Sequence, residues 1–260
     1  MIREQAQRIA REAGALLLEE YDKPRQINHK GRVDLVTQAD GASEQLIVER
    51  LQAAFPDHRI VAEEEGEVAG GDLTWYVDPL DGTTNFAHGF PVFAVSMALV
   101  QAGEPVVGVI YDPMRDELFA AERGGGAYLN GKAIFVTGAA TLEDALIATG
   151  FPYDHLTAED NNTRALSVFL RRVQGLRRAG AAALDMAYVA AGRLDGYWEM
   201  RVKPWDVAAG VVLVREAGGM VSTYEGRRTS LFEGEMRIAA SNGRIHEEML
   251  DVLKEVYNGG

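Results

Sequence analysis

The chain of 260 residues contains no cysteine. Disulfide bonds, thiol nucleophiles and zinc–thiolate sites are therefore excluded. Histidine is scarce as well, with five residues, and none of them lies in the acidic segments described below. Catalysis by a histidine nucleophile is therefore not favoured.

Long apolar runs are also missing. The N-terminal residues lack the apolar stretch of a signal peptide, and no segment approaches the roughly 20 apolar residues of a membrane span. We therefore expect no membrane association and a cytoplasmic location.

Basic residues are few compared with acidic ones, 26 against 39, and the formal net charge is −13. A field of this sign repels nucleic acid and anionic membranes, so neither is expected as a partner. It would also repel a phosphorylated small molecule, unless bound cations reverse the sign locally.

Hydrophobic periodicity in the first half predicts helices over residues 2–21 and from Thr37 to about residue 54. Short β-rich runs follow, separated by glycine and Asp-Pro turns. They predict strands over residues 59–62, 73–77, 94–101, 106–111 and 117–121. We expect an antiparallel sheet covered by the two leading helices.

The second half alternates strands and helices, which is typical of a sheet with some parallel pairs. Strands are predicted near residues 145–149, 196–200, 219–223 and 237–240, and helices near 158–170, 180–192, 204–217 and 244–257. The changeover near residues 137–141 predicts an N-terminal half, 1–138, and a C-terminal half, 139–260.

The segment from Trp75 to Phe86 combines two carboxylates with a glycine and two threonines. A strand is expected to stop at Asp78-Pro79, with Asp81 following on a tight turn. Gly82 and Thr83 then begin a short helix, whose free N–H groups can hold a phosphate. Closely spaced carboxylates suit Mg²⁺ or Mn²⁺, and cations would remove their mutual repulsion. The alternative interpretation, a solvated turn, is favoured for an Asp-Pro pair alone but not for this whole unit.

Three further acidic segments have a simpler structural interpretation beside the functional one. The run Glu63–Glu65 is either a ligand-bearing strand end or a solvated loop. Asp40 either caps the second helix or orients a water together with Thr83. Asp206 either faces a site or interacts with the dipole of the helix that it begins.

Together these segments resemble the inositol monophosphatase family of Mg²⁺-dependent, Li⁺-sensitive phosphatases. The resemblance is carried by residues 34–40, 63–64, 75–86, 180–183 and 199–219. It implies a layered αβαβα sandwich of the sugar phosphatase type, in the α+β to α/β class. It also implies an antiparallel sheet in the N-terminal half and a mixed sheet in the C-terminal half.

The same resemblance implies specific roles. Two or three Mg²⁺ ions, or Mn²⁺, would be held by Glu63, Asp78, the Leu80 carbonyl, Asp81 and Asp206. The catalytic set would be Asp40, Thr83 and Glu63. Substrate would contact Gly82, Thr83, Ala182, Asp185, Glu199 and Asp206, with Lys30 near the entrance. Two departures from the family pattern matter: the acidic run leaves Glu64 as an alternative to Glu63, and Ala181 replaces a hydroxyl-bearing residue.

We therefore expect a Mg²⁺-dependent phosphomonoesterase acting on a small polyol or sugar phosphate, with inositol-1-phosphate as the leading candidate, and a homodimer. Fructose-1,6-bisphosphate is an alternative, because its second phosphate could meet Arg164, Arg171, Arg172, Arg201 or Lys203. Histidinol phosphate, 3′-phosphoadenosine nucleotides and a non-catalytic regulatory role also stay open.

Overall fold

The computed structural model describes residues 1–23, 27–29, 35–64, 66–229, 231–232 and 236–258. Within these residues the chain forms five layers in the order helix, sheet, helix, sheet, helix. The predicted layered sandwich is confirmed. Lys30, Asp34 and Glu65, which the sequence analysis singled out, lie outside the described residues.

The first layer consists of α1 (Ile2–Tyr21) and α2 (Gln38–Ala54). The buried side chains of α1 recur at helical spacing, and they pack on one face of the larger sheet: Ala6, Ile9, Ala10, Ala13 and Leu17. Thr37 caps α2 as predicted, because its hydroxyl accepts a hydrogen bond from the N–H of Ala39 at 3.2 Å. A short antiparallel pair, β1 (Ile27–His29) and β2 (Leu35–Thr37), precedes α2.

The larger sheet has eight strands in the described residues, in the spatial order β10-β9-β8-β7-β6-β5-β3-β4. They are β3 (Arg59–Ala62), β4 (Glu67–Val68), β5 (Leu73–Asp81), β6 (Ala94–Gln101), β7 (Glu104–Asp112), β8 (Glu117–Glu122), β9 (Ala127–Leu129) and β10 (Lys132–Ala133). The neighbours are antiparallel as predicted, with the exception of the parallel pair β3–β5. This pair matters for the site, because Ala62 lies opposite Val77 and both strands therefore deliver the acidic residues that follow to one edge of the sheet.

Strand β5 is longer than predicted. It continues past Asp78-Pro79 to Asp81, so the expectation that it stops at Asp78-Pro79 is wrong. The pairing with β6 passes from Asp78–Ser96 to Asp81–Ala94, which leaves one extra residue in β5. Such a bulge tolerates the missing N–H of a proline. The two aspartates are thus held by a paired strand rather than by a free turn.

The second sheet has five strands in the described residues, in the order β12-β11-β13-β15-β14. They are β11 (Leu146–Thr149), β12 (Gly175–Arg177), β13 (Gly196–Met200), β14 (Met220–Thr223) and β15 (Arg237–Ser241). Strand β11 is parallel to both of its neighbours, β12 and β13, whereas β15 is antiparallel to β13 and β14. The predicted mixed sheet is confirmed.

Five helices complete the fold in the part of the chain that the structure describes: α3 (Thr83–His88), α4 (Thr163–Phe169), α5 (Ala182–Ala190), α6 (Pro204–Glu216) and α7 (His246–Asn258). Helices α5 and α6 form the middle layer between the sheets, while α4 and α7 cover the outer face of the second sheet. Helix α4 is shorter than the predicted 158–170.

Residues from both sides of position 138 pack into the same middle layer, as in the contact of β7 with α6. A Cβ on Gly108 of β7 would lie 2.5 Å from the carbonyl oxygen of Ala209, so only glycine permits this close approach. The division into halves at 138 stays a prediction. Across the described ranges, no helix has the length and apolarity needed to cross a bilayer.

Candidate active site

The residues predicted to form the site surround one cleft of about 750 Å³, a volume that includes its open mouth. The cleft lies where the end of β5 meets the first turns of α5 and α6. Its lining includes all but one of the residues predicted to bind metal, take part in catalysis or contact substrate directly: Glu63, Asp78, Leu80, Asp81, Gly82, Thr83, Ala182, Asp185, Glu199 and Asp206. The exception, Asp40, lies directly behind Thr83.

Asp78 is almost fully buried, with 3% of its surface exposed. One carboxylate oxygen accepts a hydrogen bond from the N–H of Leu80 at 3.0 Å. Burial raises the pKa of Asp78 well above its ordinary value, and the charges of Glu63, Asp81 and Asp206 raise it further. These acidic side chains are thus close enough to repel one another.

Asp81 connects the larger sheet to the middle layer. Its Oδ1 accepts a hydrogen bond from the N–H of Ala182 at 3.1 Å, and its Oδ2 accepts one from Ala183 at 2.8 Å. These N–H groups belong to the first turn of α5, where they have no intrahelical acceptor. Burial raises the pKa of Asp81 to about 7, although the two N–H donors act in the opposite direction.

Asp206 satisfies both interpretations of its sequence position. In the first turn of α6, its Oδ2 accepts a hydrogen bond from the N–H of Lys203 at 2.6 Å. The same carboxyl group lines the cleft. Burial raises its pKa to about 8, and the charges of Asp81 and Glu199 contribute to the rise.

Asp40 caps α2, as one interpretation of its position predicts, and it also contacts Thr83. Its Oδ2 accepts hydrogen bonds from the N–H and the hydroxyl of Thr37, at 2.8 and 2.6 Å, and so caps α2. Its Oδ1 accepts a hydrogen bond from the Thr83 hydroxyl at 2.9 Å. Burial raises the pKa of Asp40, and the Thr37 and Thr83 donors oppose that rise.

The choice between Glu63 and Glu64 depends on where each residue lies. Glu63 lines the cleft, and its charge raises the pKa of Asp78. The N–H of Glu64 donates to a carboxylate oxygen of Glu44 on α2 at 2.8 Å, and Glu64 acts on Asp40 rather than on Asp78. The geometry therefore favours Glu63 as the ligand.

Glu199 and Asp185 form another part of the cleft wall. Oε2 of Glu199 accepts a hydrogen bond from the Tyr197 hydroxyl at 2.7 Å. Burial raises the pKa of Glu199 to about 7, and it raises that of Asp185 well above its ordinary value. Gly150 contacts this wall so closely that a Cβ there would overlap both carboxylate oxygens of Glu199.

Sequence reasoning assigned no role to Asn85, although it lies inside the acidic motif. Its side-chain amide donates to the carbonyl oxygens of Val92 at 2.8 Å and of Ala179 at 2.9 Å. It thereby ties the chain after β5 to the segment that precedes α5. The motif itself was the only signal for this residue.

The basic side chains that line the cleft differ from those proposed to bind a second phosphate. Arg178, which was not predicted, lines the cleft with its guanidinium carbon 5.9 Å from the centroid of the Phe151 ring. Arg201 also lines it, but is paired with both carboxylate oxygens of Asp154 at 2.7 and 2.8 Å. The remaining four candidates are not part of the cleft lining: Arg164, Arg171, Arg172 and Lys203.

The oxygen donors of the cleft suit the metal that the sequence predicts. Among the residues that the structure describes, no three Asp, Glu or His side chains already surround one point as ligands. The cleft nevertheless gathers carboxylates and the Leu80 carbonyl, which are the hard oxygen donors that Mg²⁺ prefers. Burial raises the pKa values of these acids and the neighbouring charges add to the rise, which a bound cation would offset. The residues therefore fit a divalent cation chemically.

Comparisons with known proteins agree with this geometry. The profile described as "Inositol monophosphatase family" matches residues 1–257. An inositol-1-monophosphatase from Synechocystis sp. is 48% identical over 244 residues, which cover 93% of this chain and 84% of that protein. The Nus factor SuhB from Escherichia coli strain K12 is 43% identical over 254 residues, which cover 96% and 94% respectively.

Similarity extends to the three-dimensional structure. The solved structure of inositol monophosphatase from Anabaena (Nostoc) sp. superposes with a TM-score of 0.90 at 43% sequence identity, covering 98% of this chain and 96% of that one. The chain therefore belongs to the inositol monophosphatase family and is a phosphatase of the hydrolase class.

Proposed function

We propose that this phosphatase is a Mg²⁺-dependent phosphomonoesterase that hydrolyses a small polyol or sugar phosphate, with inositol-1-phosphate as the leading substrate. The observation that supports it most is the composition of the cleft. Buried carboxylates from β5 and α6 share its lining with the acids Glu199 and Asp185. A phosphate ester of a polyol offers a phosphoryl group to cations held by the first set and hydroxyls to the second.

Proteins of this family are generally metal-dependent. Two or three Mg²⁺ ions, or Mn²⁺, would be held here by Glu63, Asp78, the Leu80 carbonyl, Asp81 and Asp206. When bound, such ions lower the pKa of a coordinated water and neutralise the phosphoryl oxygens. They would also offset the repulsion between an anionic substrate and a chain of net charge −13.

The chain's own contribution to hydrolysis is to position the attacking water. Asp40 accepts a hydrogen bond from the Thr83 hydroxyl, and the Thr83 oxygen can then accept a hydrogen bond from that water. Glu63 lies on the same side of the cleft and would serve a third, weaker ion. Water attack in line with the leaving oxygen needs no phosphoenzyme, in agreement with the absence of cysteine and of cleft-lining histidine among the described residues.

Substrate contacts follow from the donors and acceptors that remain available. The N–H groups of Gly82 and Thr83 begin α3 and would hold phosphate oxygens. Oε1 of Glu199, together with Asp185 and Asp206, would accept hydrogen bonds from substrate hydroxyls. Ala182 would flank the same pocket, but its N–H is already donated to Asp81, so it contributes a surface rather than a donor.

A panel of phosphate esters assayed with and without Mg²⁺ tests the proposal. We expect phosphate release from inositol-1-phosphate that depends on Mg²⁺ and is inhibited by Li⁺. The panel includes fructose-1,6-bisphosphate, histidinol phosphate and 3′-phosphoadenosine 5′-phosphate, because the cleft does not by itself exclude them. No release from any ester would refute the phosphomonoesterase.

Asp81→Asn tests the metal assignment within the same assay. The substitution keeps the size of the side chain but removes its charge, and we expect loss of about 99% of turnover, the scale of a removed charge-stabilising group. Asp72→Asn is the matched control, because Asp72 is an exposed aspartate just before the far end of β5. Unchanged turnover of Asp81→Asn at saturating Mg²⁺ would contradict the assignment.

The non-catalytic alternative remains part of the test. A relative at 43% identity carries the name Nus factor, which describes that protein. A regulatory role without catalysis predicts no phosphate release under any condition of the panel. The homodimer and the cytoplasmic location stay predictions.

A further inference from the structure

Asn162 lies outside the cleft, yet its side chain is fully committed to hydrogen bonds. It is buried, with 1% of its surface exposed, and immediately precedes α4 with a φ of 71°. Its Nδ2 donates to the Thr149 hydroxyl at 2.8 Å and to the Gly150 carbonyl at 2.6 Å. Its Oδ1 accepts from Nε1 of Trp198 at 2.9 Å and from the Tyr257 hydroxyl at 3.3 Å.

Two of these partners adjoin Glu199, because Gly150 lines the cleft beside it and Trp198 precedes it in β13. Thr149 and Trp198 lie opposite each other in the parallel pair β11–β13. The Thr149 hydroxyl, which accepts from Asn162, donates in turn to the Trp198 carbonyl at 2.7 Å. The peptide that leads from Trp198 into Glu199 is therefore held by the Asn162 amide through two routes, the indole and the threonine hydroxyl.

Gly150 completes the connection to the site. Its carbonyl accepts from Asn162, and its Cα lies against the Glu199 carboxylate, where a Cβ would overlap both oxygens. On its other side the carboxylate is held by the Tyr197 hydroxyl. A displacement of Gly150 would change the space in which the Glu199 carboxylate sits.

We propose that Asn162 is a positioning residue that sets the location of Glu199 and thereby the preference of the enzyme for esters whose alcohol carries hydroxyls. This inference rests on the proposed polyol phosphatase, because it assigns hydroxyl recognition to Glu199. Asn162 contacts neither the metal donors nor the Thr83 hydroxyl, so it acts on recognition and not on the phosphoryl end of the cleft.

The test compares inositol-1-phosphate with p-nitrophenyl phosphate, whose alcohol has no hydroxyl for Glu199 to accept. Asn162→Asp keeps the shape of the side chain but places an oxygen against the Gly150 carbonyl. We expect its KM for inositol-1-phosphate to rise about tenfold or more, the value of one hydrogen bond to a charged group, while kcat/KM for p-nitrophenyl phosphate stays within about twofold. Thr149→Val removes one of the two routes. It should change the ratio of kcat/KM for the two substrates less than Asn162→Asp does, and it decides the matter if Asn162→Asp does not fold.

Two controls separate positioning from general stability. Asn161→Ala removes the hydrogen bonds that Asn161 makes with Thr163 and with the His155 carbonyl at the same helix start, but touches no partner of Asn162. We expect it to leave the ratio of the two substrates unchanged. In a Glu199→Ala background, Asn162→Asp should have no further effect on that ratio.

The outcomes distinguish this inference from the function on which it rests. A wild-type protein that hydrolyses no ester refutes both. A wild-type protein that prefers inositol-1-phosphate, combined with folded Asn162 and Thr149 variants that keep the preference, refutes the positioning role alone. The positioning role is refuted equally if Asn162→Asp lowers the preference further when it is added to Glu199→Ala.

Discussion

The Thr83 hydroxyl has two acceptors within hydrogen-bond distance, Oδ1 of Asp40 at 2.9 Å and the Leu80 carbonyl at 3.0 Å. A hydroxyl has one proton, so the bond to Asp40 orients an oxygen that faces the cleft. Thr83→Ala should lower kcat by about a hundredfold, the scale of a misplaced attacking group, with little change in KM. Steady-state kinetics at saturating Mg²⁺ measure both.

Thr83→Ser is the matched variant, because it retains the hydroxyl and removes only a methyl group. It should retain most of the activity. Equal losses in the serine and alanine variants would show that the hydroxyl is not the feature on which turnover depends.

At the residue scale, sequence reasoning found the acids and missed the amides. Asp78, Asp81 and Asp206 stand in short segments where a carboxylate follows a strand or begins a helix, and such positions restrict what the side chain can do. Asn85 and Asn162 gave no comparable signal. A side-chain amide can bond to almost any backbone group, and its partners here are up to 95 residues away, as for Tyr257 and Asn162.

Two helical glycines provide a test at the scale of packed elements. Gly210 lies inside α6, and a Cβ there would approach Cβ of Met186 on α5 to 2.5 Å. Gly41 lies in α2 with nothing within 4 Å of such a Cβ. Gly210→Ala should lower the free energy of unfolding by about 1–3 kcal/mol through overpacking.

Gly41→Ala should raise the free energy of unfolding by about 0.5–1 kcal/mol, because alanine favours the helix. Denaturant titration of the two variants reports the opposite signs directly. A Gly210→Ala protein that is no less stable than the wild type would contradict the close packing of α5 on α6.

At the element scale, periodicity located the long helices and most strands, because a buried face repeats along each of them. It did not give the length of β5 or the parallel pairing of β3. Pro79 is a strong signal for a strand end, but the bulge between Asp78 and Asp81 accommodates it, so tertiary pairing outweighed the local preference. The direction of β3 relative to β5 depends on how the chain returns through β4, which no local pattern records.

The whole molecule is expected to respond to pH through its acidic cleft. The pKa values of Asp81 and Glu199 are raised to about 7 and that of Asp206 to about 8, whereas carboxyl groups in an unfolded chain titrate near pH 4. Between these limits the folded protein binds more protons than the unfolded one. The stabilising contribution of these three groups to the ion-free protein is therefore largest at about pH 4 and below, and it declines as pH rises to about 8.

Bound Mg²⁺ stabilises the ionised carboxylates and should remove much of this decline. We expect the difference in Tm between Mg²⁺-saturated and chelator-treated protein to widen from pH 5 to pH 8, as measured by thermal denaturation. Asp81→Asn, which stays neutral throughout, should show a smaller widening. A constant difference across the range would contradict the assignment of the cleft acids as ion ligands.

The hydrogen bonds from Ala182 and Ala183 to Asp81 make two backbone amides reporters of the cleft. Their protons exchange slowly with solvent only while the carboxylate stays in place, since the first turn of α5 offers them no other acceptor. The exchange rates of these two amide protons can therefore report whether a metal ion occupies the cleft, without substrate and without turnover.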